Sequence, residues 1–231
     1  MKKILIVFVL ISFTLLGADE VFKARVFQQE SGELLYLHYN EINENDSLIV
    51  KTHYYLHPDS SLAVLDRAFL INDKPWKFIA EFVDTDEKSL LILEDGILAI
   101  NYWKNGEKKS ESIEFDDKLL GGPIFNDFVE DNWNNLRKGE VEKFRLPAAA
   151  MLTTGGFYLK ELSDSQYKKP GTAVFKMGVS SLFLRLLIKP SYFVYNIEQR
   201  RLIEIHGLTV LPHKENGEWS QTTNADIYFE Y

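Results

Sequence analysis

The sequence predicts a mainly β protein: an antiparallel curved sheet, either an incomplete barrel or a sandwich, with one amphipathic helix near residues 123–138. Three observations predict it. Short runs rich in Val, Ile, Tyr, Phe and Leu recur between turn residues. Asp95-Gly96 and Asn105-Gly106 are pairs of the kind that close tight hairpins. Only residues 123–138 space their apolar side chains by threes and fours.

The elements follow in order. Leu48, Val50, Thr52, Tyr54 and Leu56 alternate with Ile49, Lys51, His53, Tyr55 and His57, so this run has two distinct strand faces. Pro58-Asp59-Ser60 ends it. Trp76 to Val83 follows the turn Asn72-Asp73-Lys74-Pro75. Leu90–Leu93, Ile97–Trp103 and Ser110–Phe115 then alternate with the two hairpin signals, so residues 76–115 read as a meander of about four strands. Further strands are expected at 141–151, 156–162, 172–179, 182–188, 192–197, 202–211 and 225–231, with turns at Lys169-Pro170-Gly171, Lys189-Pro190 and Asn216-Gly217. The total is about eleven to thirteen strands. No period of 20 to 50 residues recurs, which argues against solenoids and propellers.

Between Pro123 and Lys138, Phe125, Val129, Trp133 and Leu136 share a helical stripe with Phe128 beside them. Pro123 suits a first turn, Asp127, Glu130 and Asp131 lie early, Arg137 and Lys138 lie late, and Gly139 suits the position after a helix. These cues predict one helix of about four turns packed by its aromatic stripe against the sheet.

At the N-terminus, Lys2 and Lys3 precede a nearly unbroken apolar run from Ile4 to Leu16, then Gly17, Ala18 and the polar Asp19-Glu20. This is the layout of a secretory signal peptide over residues 1–18, leaving 19–231 as a single β-rich domain. The run is short for a membrane-spanning helix, and no later segment is long and apolar enough, so no helical span is expected after cleavage. A short n-region with two lysines suggests bacterial export and a periplasmic or secreted address.

Composition narrows the function classes. The chain has 231 residues, 45% hydrophobic and 13% aromatic, so it is neither disordered nor too small for a core. It has no Cys, which removes thiol chemistry, disulfides and thiolate metal sites. With 34 acidic against 26 basic residues its net charge is −8, the wrong sign for a nucleic-acid partner. No metal site or cofactor is expected. His53 and His57 would stand about 13 Å apart along a strand, too far to share one ion. No Gly-x-Ser-x-Gly elbow is present. The acidic clusters Asp84, Asp86 and Glu87 and Asp116-Asp117 read as solvated turns, and Gly121-Gly122-Pro123 and Thr153-Thr154-Gly155-Gly156 lack phosphate-loop spacing. No catalytic residue is assigned.

The set Gly122-Pro123, Phe128, Asn132-Trp133, Leu136, Gly139 and Phe144, followed by Phe157, resembles a pattern of exported bacterial β-rich proteins of unknown function. It spans residues 122–157. The resemblance implies export and a β-rich fold, and no catalytic residue transfers with it.

The excess of apolar and aromatic side chains without a catalytic cluster leads to the functional expectation. Segments 97–103 and 182–188 are apolar on nearly both faces, which suits a doubly covered sheet or a barrel lined for a greasy ligand. The expected protein is non-catalytic and periplasmic. It binds an apolar, lipid-like small molecule or an envelope protein, with Phe125, Phe128 and Trp133 on a helical lid and Tyr102 and Trp103 on the sheet. The alternatives are a structural or interaction protein without a cavity, and an outer-membrane β-barrel. The alternation Ala225, Ile227, Phe229, Tyr231 at the C-terminus motivates the barrel. A hydrolase ranks behind these.

Overall fold

In the computed structural model, the structure describes residues 23–215 and 217–231. The expected signal peptide and Asn216 of one expected turn lie outside the described residues.

Strands β1 (Lys23–Gln28), β2 (Leu34–Asn45), β3 (Leu48–Leu56), β4 (Leu62–Ile71), β5 (Lys74–Phe82), β6 (Glu87–Glu94), β7 (Ile97–Lys104) and β8 (Glu107–Glu114) form a continuous antiparallel meander. Its tight turns are built as the sequence requires. Asp95 and Gly96 both take positive φ, as do Asn105 and Gly106, and Asn72 and Asp73. A second meander holds β9 (Val141–Ala148), β10 (Thr153–Leu162), β11 (Thr172–Val179), β12 (Ser191–Asn196) and β13 (Leu202–Thr209). After a small separate hairpin, β14 (His213–Glu215) and β15 (Glu218–Ser220), the last strand β16 (Thr223–Glu230) pairs with both β13 and β1. The two meanders thus join into one 14-stranded sheet with β8 and β9 at its edges.

The sheet is open: it is neither a closed barrel nor a two-sheet sandwich. It curls because residues from both halves share one core. Leu91, Leu98 and Ile100 of the first meander and Phe144, Phe175 and Phe193 of the second enclose the same side chains of residues 119–136. Those side chains belong to the connection between the edge strands. It pairs Leu119 in parallel with Arg145, then forms a 3-10 turn (Gly122–Ile124), α1 (Phe125–Asp131) and α2 (Trp133–Arg137) inside the curl. A second, smaller core gathers Val26, Tyr36, Val64 and Ile227 under Leu211, which enters from the chain beyond β13.

One expectation gains detail and two need correction. The helical segment expected at 123–138 is present, broken at Asn132 into two short helices. The Asn132 side-chain amide donates to the Phe128 carbonyl at 2.7 Å, and its backbone leaves the helical region at φ −100, ψ 9. An Asn that bonds local backbone competes with helix continuation. Segment 182–188 is not a strand. It is an exposed loop with a 3-10 turn at Leu184–Leu186, because Arg185 donates to the carbonyls of Val179 and Ser180 and folds the run back. A short apolar run carries no periodicity to distinguish these outcomes. Segment 141–151 stops being a strand at Ala148 and turns through Ala149–Met151.

Candidate functional site

Strand registers set which side chains meet inside the curl. Asn40, His53, Asp66 and Ala80 face one another across β2 to β5, and His38 pairs with Tyr55 in the next row. These residues form a polar layer between the two cores: along β4, Val64 belongs to one core, Ala68 and Leu70 to the other, and Asp66 lies between. His38 stacks on Tyr55 with centroids 4.3 Å apart and meets His53 edge-on at 4.7 Å.

Gly122 roofs this layer. A Cβ there would stand 2.7 Å from Asp66 Oδ2 and 3.7 Å from His53 Nδ1, so only glycine lets the backbone approach so closely. Burial pushes Asp66 up to about 7, against the pull of the Gly122 N–H that it accepts. Burial also drives His53 down to about 3, helped by the Lys51 ammonium, and lowers His38, helped by His53. Lys51 itself pairs with Asp127 of α1 at 2.7 Å, tying the helix to the sheet wall. The layer therefore holds neutral imidazoles beside a carboxyl that ionises near neutrality.

A second polar cluster lies further along the same wall, on β6 and β7. Glu87 accepts from Tyr102 at 2.6 Å, Lys104 at 2.9 Å and Gln221 at 2.8 Å. Burial alone would raise Glu87, but these three donors outweigh it and its pKa falls below the usual carboxylate range. The bond from Gln221 ties the chain between β15 and β16 to β6.

On the outer face, His206 lies between Asp226 and Glu204, with Nδ1 at 2.8 Å and Nε2 at 3.0 Å from their oxygens and Tyr167 stacked on the ring at 4.1 Å. Among the described residues, no group of three or more His, Asp or Glu side chains is placed to hold a metal ion.

The expected ligand contacts fall into two places. Phe125, Phe128 and Trp133 are buried on the helices: Phe125 stacks on Phe193 at 4.6 Å, Phe128 meets Phe144 at 5.1 Å, and Trp133 meets Phe175 at 5.5 Å. Tyr102 and Trp103 stand near the other end of β7 and point to opposite faces. Tyr102 turns inward to Glu87, whereas Trp103 turns outward, under Lys108 at 5.2 Å. A recess of about 610 Å³ opens beside Trp103, lined also by Phe82, Asp86 and Glu87. The structure therefore does not bring the helical and sheet residues into one site.

The apolar feature that sequence reasoning missed is at one end of the sheet. The turn after β9, the loop after β11 and the exit of β13 all lie at that end, as the antiparallel registers require. There Leu182, Phe183, Leu186 and Leu187 are 70–84% exposed, and Met151 and Val210, at the same end of the sheet, are 74% and 70% exposed. Read as a strand, 182–188 belonged in the core. The signal available in sequence was its lack of alternation and the cations Arg185 and Lys189 within or beside it. The sequence signal for the buried layer is the alternation of Val64, Asp66, Ala68 and Leu70 on β4, which puts one carboxyl on an otherwise apolar strand face.

The fold and these features define a class: an antiparallel β protein whose single open sheet curls around its own helical connection and exposes an apolar loop at one end. No protein-family model matches the sequence, and neither a curated protein nor a solved structure is significantly similar to it. Among the described residues, no helix is long and apolar enough to cross a membrane.

Proposed function

We propose that the protein is exported, non-catalytic, and binds an apolar, lipid-like or protein partner of the cell envelope through the loop end of its sheet. The observation that carries this reading is the exposure of Leu182, Phe183, Leu186 and Leu187 on one contiguous loop. Large exposed apolar patches mark interaction sites, because leaving them in water costs free energy that a partner recovers. The interior supports the same reading. Phe125, Phe128 and Trp133 fill it with the chain's own rings, and the His38–His53–Asp66 layer lies under Gly122. The recess at Trp103 favours a second reading, a small-ligand site on the sheet.

The test is site-specific photocrosslinking in cells, with the probe at Leu186 and a control probe at the exposed Ser112 of β8. Capture of one discrete envelope component from Leu186 alone supports the reading. Equal labelling from both positions, or none, overturns it. Native mass spectrometry of protein purified without detergent examines the second reading: a stoichiometric adduct lost in Trp103→Ala supports it, and a bare polypeptide mass rejects it.

A further inference from the structure

We infer that the partner is a bilayer rich in anionic phospholipid, which takes the 182–187 loop into its interfacial region and meets the outer face of β9–β12 with its headgroups. This rests on the proposed binding through the loop end of the sheet, its rim, and names the partner.

The first support is the shape of the apolar feature. Its side chains stand 70–84% exposed on a single loop, a projecting apolar tip that suits insertion into a deformable apolar layer. Arg185 braces the tip. Its guanidinium donates to the Val179 and Ser180 carbonyls and lies 4.7 Å over the Tyr158 ring, leaving Leu186 and Leu187 outside. That brace also turns the loop towards the outer face, since Tyr158 pairs with Lys143 and Gly178 on the side opposite Leu159 and Phe157 of the core.

The second support is charge. The net charge of the chain is −8, yet no acidic residue lies between Asp164 and Glu198, and Lys168, Lys169, Lys176, Arg185 and Lys189 do. The outward positions of β9–β12 carry Lys143, Arg145, Lys160 and Lys176 and no Asp or Glu, because Glu142 and Glu161 fall on the inward alternation. Glu161 is paired there with Arg137 of α2. The nearest outward acid, Glu204 on β13, is held by Lys169 and His206. A single-signed basic face in an acidic protein, bordering an exposed apolar loop, combines the two contributions of peripheral membrane binding: apolar insertion and attraction of about fivefold in affinity per cation near an anionic surface.

The experiment is co-sedimentation of the protein, purified from the envelope of cells expressing the full chain, with vesicles of phosphatidylcholine alone or mixed with phosphatidylglycerol. Binding is expected only to the mixed vesicles and should weaken as salt rises. Lys160→Gln with Lys176→Gln should reduce it roughly thirtyfold, two cations' worth. Leu186→Asp with Leu187→Asp should abolish it while leaving the unfolding midpoint unchanged, since both side chains are exposed. Equal binding to both vesicle types, no binding to either, or an unaffected Leu186/Leu187 variant overturns the inference. If vesicles fail and the Leu186 probe still captures one envelope protein, the lipid assignment falls and the rim reading stands. If both fail, the rim reading falls too.

Discussion

At pH 5 the three groups of the lumen layer hold different protons in the folded and unfolded chain. Unfolded, His38 and His53 titrate at 6.5 and are charged, and Asp66 titrates at 3.8 and is ionised. Folded, His53, lowered to about 3, is neutral, His38 is lowered well below its ordinary value by burial, and Asp66, raised to about 7, keeps its proton. Lowered histidine pKa values remove stability as pH falls below 6.5. A raised carboxyl pKa removes stability as pH rises from about 4 towards 7. Two lowered imidazoles favour unfolding in acid and one raised carboxyl opposes it, so between about pH 4 and 6.5 this layer makes stability rise with pH. Asp66→Asn should steepen that rise, and His53→Gln should flatten it. Urea unfolding from pH 4.5 to 6 measures both. Parallel curves for the three proteins would mean that the layer does not titrate as described.

The helical connection behaves as core. Phe125, Val129, Trp133 and Leu136 lie on one side, as the sequence spacing requires, and the break at Asn132 keeps α1 and α2 short enough to follow the curl. Short helices are marginal alone and take their stability from packing. Trp133 touches Phe175 and Tyr195 in this core. Trp133→Ala should therefore cost about 3–5 kcal/mol in urea unfolding. A loss below about 1 kcal/mol would show that the helices are not held by this contact. The loop 180–190 is the contrasting element. Its apolar residues lie outside, and it is anchored mainly at its base, where Gly207 lets β13 pass within contact distance of the Pro190 carbonyl.

For the whole molecule, the open sheet leaves two edges with different protection. β9 is covered on one side by the Leu119 bridge and the helices, whereas β8 is exposed along nearly its whole length. Its Glu107, Lys108, Lys109, Glu111 and Glu114 put charge along the edge, the usual deterrent to edge-to-edge pairing. Hydrogen exchange should accordingly release β8 first and the buried β11 and β12 last. Slower exchange in β8 than in β11 would contradict this order and point to an additional cover on that edge.

Local chemistry was readable without the fold. Strand alternation, the Asp95-Gly96 and Asn105-Gly106 turns and the amphipathic stripe of 123–138 are set by backbone sterics and side-chain period. They placed most of the strands and a helical segment correctly. The face of β3 that carries Lys51, His53 and Tyr55 was legible too, but not that Asp66, His38 and Gly122 converge on it, because cross-strand register and the path of the connection join residues far apart in sequence. Nor did apolarity reveal burial at 182–187. Whether a short greasy run lies in the core or on a rim depends on how much wall the rest of the chain leaves for it. Here the helices had already filled the inside of the curl, so that run was left at the surface.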